Sequence, residues 1–357
     1  SDLFSLRINK MSKKIKVIPV IMLVLSLIIS QTACSKKTNQ STDPVQKSGF
    51  YLDTVCNLTI YDMKDMSEEN ASKVIEDAYK LCEKYENMLS KTRESSDIYK
   101  INHAGGAEIE CTDETLFVIK KAIKYAELSE GKFDVTIGQV TDLWNFQPEG
   151  GEGKIPEQEA LNEALTHVDY KQIKVNGNKV SLSDPKGEID LGGIAKGYIA
   201  DKLAEFLKKK GVSSAVIDLG GNISVVGKKP DGKDFRIGVR DPFSTDGGIV
   251  GVVEAHDKSL VTSGTYERSF TKDGKVYHHI LDVKTGYPVE TGLDSVTIIG
   301  AGNKGIDCDS LATTCLILGE KDGKKLIESL DGYEAIFVQH DGTITTTKNI
   351  KGFEKTK

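Results

Sequence analysis

Asp190-Leu191-Gly192-Gly193-Ile194-Ala195-Lys196-Gly197-Tyr198-Ile199-Ala200-Asp201 joins a strand-like run to a helical one. Upstream, Glu188 and Asp190 alternate with Ile189 and Leu191, the period of a half-buried strand; downstream, residues 199–210 keep helical spacing. Three glycines and Lys196 occupy the turn. Glycines remove side chains where a phosphate or ribose would sit, and the free N–H groups of a helix start point at the same place. A tight strand-to-helix turn that needs glycine for its own backbone angles accounts for the spacing equally, and the glycines match neither the dinucleotide fingerprint nor the NTPase loop. The surroundings favour a ligand: Asp190 on one side, Lys196 within, and two further acidic or Gly-rich segments downstream.

The 357 residues, 38% hydrophobic and 28% charged with 8 prolines, suffice for one large or two modest soluble globular domains. The net charge of −6 hides an asymmetry. Arg7, Lys10, Lys13, Lys14 and Lys16 against Asp2 give residues 1–33 a charge of +4, which leaves −10 for the rest. An acidic body without a basic face argues against a nucleic-acid partner.

Residues 1–10 precede Met11 and read as an upstream extension. From Met11 the pattern is a secretory signal: three lysines, an apolar run over residues 17–29, then small and polar residues ending at Ala33-Cys34. The run is short for a membrane span. Cys34 after Ala33 resembles a bacterial lipobox, with Gln31 where that motif usually has an aliphatic residue; an ordinary cleaved signal with an incidental cysteine is the alternative. The organisation expected is a signal segment over residues 1–33, a lipidated Cys34 with a polar tether over residues 34–48, and a body over residues 49–357. A lipid anchor on the outer face of the bacterial cytoplasmic membrane follows. Cys56, Cys82, Cys111, Cys308 and Cys315 are odd in number and widely spaced, supporting neither a disulfide framework nor a zinc site.

Along the body, residues 49–61 alternate as a strand, and Ser67 opens a helix with one apolar face. A second helix covers residues 114–129. Trp144 and Phe146 follow, beside the segment Lys132 to Gly138, and suit either stacking on a planar ligand or packing. Asn176-Gly177 signals a hairpin over residues 173–182. Strands are expected at residues 214–218, 223–226, within 235–260, at 276–282 and at 295–299, and a helix at 306–318. Hairpin groups with helices between them predict an α+β fold with mixed, largely antiparallel sheets.

Two more segments complete a constellation. His279 and Asp282 lie three apart in a strand running into a turn, and Asp309 and Thr313 lie four apart, which places carboxylate and hydroxyl on one helix face. Oxygen ligands of that kind suit magnesium shared with substrate phosphates, although a helix cap and a surface hydroxyl explain the pair as well.

With those segments the chain resembles the ApbE-type FAD:protein FMN transferases, the flavin transferases, over roughly residues 49–342. The residues carrying the resemblance are Lys132 to Gly138 with Leu143-Trp144, then Asp190 to Asp201, His279 to Gly286 and Asp309 to Thr313, with Ser263 to Arg268 also family-like. Leu52-Asp53-Thr54 stands for the common Met-Gly-Thr, Thr92 where an aromatic often stacks, and Val283 for a proline. The resemblance implies an ApbE-like fold and transfer of FMN from FAD to a threonine or serine hydroxyl of a target protein, releasing AMP. It further implies that Asp309, Thr313 and the backbone carbonyl of Gly193 hold Mg2+. Leu52, Lys132, Phe133, Asp134, Asp190, Lys196 and Ile280 are implied to line the FAD pocket.

Cleaving a pyrophosphate requires charge neutralisation on its oxygens and a nucleophile held in line. His279 or Asp282 is expected to accept the acceptor hydroxyl's proton. Water in place of that hydroxyl would make the same site a magnesium-dependent FAD pyrophosphatase giving FMN and AMP; a flavinylated acceptor distinguishes the two. A lipid-anchored flavin-binding protein without catalysis is a third reading, against which the magnesium ligands argue. Export and the anchor point to outward-facing membrane redox proteins as acceptors.

Overall fold

The computed structural model describes residues 43–146, 153–348 and 350–356. The signal segment and Cys34 lie outside the described residues. The chain opens on a hairpin, β1 (Val45–Tyr51) and β2 (Thr54–Met63). β1 therefore starts within the segment expected to be tether. The expected single strand over residues 49–61 is broken by a two-residue turn at Leu52-Asp53, both at φ +56°. Such turns normally carry glycine or asparagine, so no residue of the pattern announces it.

Helix α1 (Glu68–Leu89) is capped by Ser67, which accepts the Asn70 N–H, and buries Ile75, Ala78, Tyr79, Cys82, Tyr85 and Leu89 along one stripe. Then come α2 (Asp97–Asn102), β3 (Ile109–Glu110), and α3 (Asp113–Leu128) behind its Thr112 cap. Next are α4 (Gly138–Trp144), α5 (Gln158–Leu165) and the hairpin of β4 (Ile173–Asn176) and β5 (Lys179–Leu182).

The pivotal stretch differs from expectation at both ends. Residues 188–191 form no strand; a single parallel bridge links Glu188 to Ile137. Helix α6 (Ala195–Lys209) starts four residues early and takes Gly197 into its first turn. The remaining elements are β6 (Val212–Leu219), β7 (Asn222–Val226), β8 (Phe235–Arg240), β9 (Ile249–Ala255) and β10 (Lys258–Gly264). After them come β11 (Ser269–Lys272), β12 (Lys275–His278), β13 (Leu293–Ala301), α7 (Gly305–Leu318) and α8 (Glu320–Glu328). β14 (Tyr333–Gln339), β15 (Ile344–Thr346) and β16 (Phe353–Lys355) close the chain. β12 ends at His278, so His279 to Asp282 are loop rather than strand.

The main sheet has eight strands ordered β1-β2-β6-β7-β10-β13-β14-β15, and every strand pair among the described residues is antiparallel. The fold is α+β, as expected. On one sheet face the large core gathers Leu58, Ile60, Ile217 and Val296 with α1, α6 and α7; on the other, Phe235, Val250, Val253 and Leu260 pack the β16-β9-β8 sheet against it. Helix α7 is buried on nearly every side, from Ile306 through Leu316, which makes any polar group on it a core group. The five cysteines are buried free thiols.

Helices α6 and α7 touch through backbone. A Cβ on Gly197 would fall 2.1 Å from the Gly305 carbonyl oxygen, and one on Gly305 2.5 Å from the Gly197 carbonyl oxygen. Asp201 completes the junction by accepting the N–H groups of Gly305 (2.8 Å) and Ile306 (3.0 Å), capping α7 from the neighbouring helix. The stretch fixes the fold by helix packing as much as by its turn. Among the described residues no helix is long and apolar enough to cross a membrane.

Candidate active site

A cavity of about 600 Å³ opens where the β1–β2 turn, the residues after α3, the start of α6, helix α7 and the loop after β12 converge. All seven residues expected at the FAD pocket line it: Leu52, Lys132, Phe133, Asp134, Asp190, Lys196 and Ile280. Gly193, Asp309, Thr313 and His279 line it as well; Asp282 does not.

At the α7 end, Asp309 is 3% exposed. Its Oδ2 accepts the Gly197 N–H at 2.8 Å, and the Asn222 side chain bonds the same carboxylate. Burial pushes its carboxyl above the ordinary range, with the charge of Lys196 opposing. One turn on, Thr313 Oγ1 shares a 3.1 Å hydrogen bond with Ser263 Oγ. Gly193 lies beside Thr313: a Cβ there would lie 3.7 Å from Thr313 Oγ1 and 3.1 Å from the Phe133 ring. The three residues expected to hold magnesium thus line one cavity. Among the described residues no three or more His, Cys, Asp or Glu side chains are grouped so as to hold a metal ion; a site of one carboxylate, one hydroxyl and a backbone carbonyl needs no such group. The donors are all oxygen, as a hard cation requires, and buried Asn222 Oδ1 has no hydrogen-bond partner among the described residues. The residues fit magnesium.

Two ammonium groups face the cavity without a salt bridge among the described residues: Lys132, and Lys196 in the first turn of α6, whose charge acts on the Asp309 and Glu267 carboxyls from beyond salt-bridge distance. Unpaired cations in a concave site suit an anionic ligand.

Opposite stands the loop after β10 with the segment after β12. The His279 N–H donates to the Arg268 carbonyl at 3.1 Å, and Arg268 reaches Asp53 on the hairpin turn at 3.6 Å. Burial, with Lys196 and Arg268 adding to it, lowers the His279 imidazole to about 3, and its Nδ1 has no hydrogen-bond partner among the described residues. Glu267, to which the sequence assigned no role beyond its family-like segment, lines the same wall, and burial raises its carboxyl to about 7. Asp282 accepts the Lys284 N–H at 2.7 Å within the turn that Gly286 closes, outside the cavity. Trp144 is not a stacking platform: it is fully buried and donates its indole N–H to the Gly286 carbonyl at 2.7 Å.

Asp134 serves architecture first. Its Oδ1 accepts the Thr136 N–H and hydroxyl (2.8 and 2.7 Å), and its Oδ2 the Tyr170 N–H (2.8 Å). Asp190 accepts the Gly192 N–H at 2.8 Å with Oδ1 and the Thr141 hydroxyl at 3.2 Å with Oδ2.

The family model described as the ApbE family matches residues 52–337, which carry all of these cavity residues. The chain belongs to the ApbE family. As an ApbE-type flavin transferase it is an enzyme. It is 33% identical over 320 residues to the FAD:protein FMN transferase of Treponema pallidum, covering 85% of this chain and 87% of the relative. To that of Vibrio cholerae it is 29% identical over 309 residues, 86% and 90% of the two chains. The solved flavin transferase ApbE from Vibrio cholerae superposes with a TM-score of 0.74 at 28% identity, covering 85% of this chain and 96% of that one. The ApbE protein of Thermotoga maritima gives 0.76 at 30%, covering 85% and 97%.

Proposed function

We propose that this flavin transferase moves FMN from FAD to a threonine or serine hydroxyl of a target protein, in a magnesium-dependent reaction that releases AMP. The observation that carries this reading is the meeting, in one cavity, of the Asp309, Thr313 and Gly193 oxygens with the unpaired Lys196 and a neutral His279. Magnesium held by those three oxygens would neutralise charge on the pyrophosphate. Lys196 adds a second positive charge from the first turn of α6, and Lys132 a third. The acceptor oxygen bonds to the phosphorus of the FMN half, the bond from that phosphorus to the bridging oxygen breaks, and AMP departs with that oxygen. The hydroxyl proton passes to His279. Burial beside two cations depresses this imidazole's basicity in the ligand-free chain; a pyrophosphate bound against Lys196 and Arg268 would offset those charges and let the neutral imidazole accept the proton. Asp282, in its turn outside the cavity, supports the loop.

The lipid anchor at Cys34, export, and an outward-facing membrane redox protein as acceptor belong to this proposal and rest on the sequence.

Mass spectrometry of an acceptor domain incubated with the chain, FAD and magnesium tests the reaction. The expected result is a gain of one FMN, lost with EDTA and with Asp309→Ala. Conversion of FAD to FMN and AMP without a gain on the acceptor would replace the transferase by the pyrophosphatase. FAD recovered intact would leave a binding protein.

A further inference from the structure

Lys91 follows α1 and was given no role by the sequence. Its side chain is 15% exposed and lines the cavity, yet unlike Lys132 and Lys196 it is fully engaged. Its Nζ lies 2.5 Å from Asp142, 3.1 Å from Glu188 and 3.5 Å from Asp190, and donates to the Gly138 carbonyl at 3.1 Å and the Thr141 hydroxyl at 3.3 Å. One cation thus stands among three carboxylates at the edge of a cavity proposed to take a dianionic pyrophosphate.

We infer that Lys91 is a positioning residue for the dinucleotide: it pins the Asp190 carboxylate that holds the Gly192-Gly193 turn, and it offsets the acidic wall enough for a pyrophosphate to approach. The inference rests on the reading of the cavity as an FAD site. The path is short. Lys91 contacts Asp190 Oδ2, Asp190 Oδ1 accepts the Gly192 N–H, and the next residue presents the carbonyl assigned to magnesium. The contacts are made from three directions, since Asp142 and Thr141 belong to α4, Glu188 and Asp190 to the segment before α6, and Lys91 to the end of α1. Removing the cation leaves Asp142, Glu188 and Asp190 to repel one another and the ligand across a partly desolvated wall. The other charges on this side do not substitute. Glu86 is occupied by Arg93 at 2.9 Å, Asp134 is closed on backbone and hydroxyl donors, and Lys132 serves the ligand. Burial works against the charge on Lys91, and the carboxylates of Asp190, Glu188 and Asp142 more than offset it, so the lysine stays cationic throughout the working range of pH.

The test is FAD affinity of the full chain, by calorimetry with magnesium, at pH 6 and pH 8. Lys91→Met is expected to weaken FAD binding about tenfold at pH 8, the effect of leaving a partly buried carboxylate cluster uncompensated. The loss should shrink at pH 6, because burial already raises the Glu188 carboxyl and removing the Lys91 charge raises it further. Lys91→Arg should bind FAD within about threefold of the parent because the charge is kept. Adding Asp142→Asn and Glu188→Gln to Lys91→Met should recover most of the affinity. Equal binding by Lys91→Met and the parent at both pH values overturns the inference. A loss of the same size at both, unrelieved by the added substitutions, overturns it too by reducing Lys91 to a structural strut. If the parent itself does not bind FAD, the cavity assignment fails first and is seen to fail separately.

Discussion

Lys196 and Lys91 line the same cavity under opposite conditions. At the α7 end, Lys196 acts on the buried Asp309 and Glu267 carboxyls without forming a salt bridge, and Asn222 Oδ1 and His279 Nδ1 have no hydrogen-bond partner among the described residues. At the far end, Lys91 is closed on three carboxylates, a carbonyl and a hydroxyl. Burying polar groups without partners costs stability. A fold that carries several at one end while satisfying the other marks where a charged ligand completes the structure and where the frame is already complete.

That contrast can be broken by substitution, with the largest effect at the incomplete end. Lys196→Met should lower the transfer rate on the order of 10²-fold, the scale of losing one preorganised positive group at a developing charge. Single-turnover kinetics at saturating FAD would show it, and an unchanged rate would remove Lys196 from the chemistry. Gly197→Ala attacks the frame beneath the same end. Its Cβ would meet the Gly305 carbonyl oxygen at 2.1 Å, and overpacking backbone against backbone should cost ~1–3 kcal/mol, read from thermal or urea unfolding. Full stability in that variant would mean the helices slide apart easily.

A smaller effect sharpens the comparison through pH. Burial raises the Glu267 carboxyl from its ordinary 4.5 to about 7, with Lys196 opposing and Asp309 reinforcing. The folded chain therefore holds this proton more tightly than the unfolded chain. The contribution to stability is fully present below pH 4.5 and is lost as pH rises through 7. In EDTA, the melting temperature of the parent should fall relative to Glu267→Gln between pH 5 and pH 8; parallel curves would show the carboxyl to be effectively solvated. The smallest effect belongs to Asp282→Ala. It forfeits the turn bond to the Lys284 N–H, worth about 1 kcal/mol, and should leave transfer within about threefold. A hundredfold loss would return Asp282 to the reaction.

The long helices were legible because the apolar stripe of α1 and the cap residues Ser67 and Thr112 are local signals. The β1–β2 turn was not, since Leu52 and Asp53 take the left-handed conformation without the residues that announce it. Gly197 was read as clearing space for a ligand, whereas it clears space for Gly305, a partner fixed only by the packing of two helices. In the site, all eleven expected residues other than Cys34 and Asp282 line the cavity, and the family resemblance, not any cluster of ligand-type residues, pointed to them. Lys91 was invisible for the opposite reason: Asp142 and Glu188 reach it from 51 and 97 residues away. Glu267 lay in a noted segment but gains its altered acidity only from burial beside Lys196 and Asp309.

The five sulfhydryls carry a consequence of their own. Cys56, Cys82, Cys308 and Cys315 have no exposed surface, Cys111 very little, and burial raises all five above the ordinary thiol range. A thiol so placed meets neither alkylating reagent nor oxidant while the chain stays closed. Because they are spread over β2, α1, the strand edge before α3 and helix α7, their separate labelling times amount to a built-in clock for how each part of the chain opens.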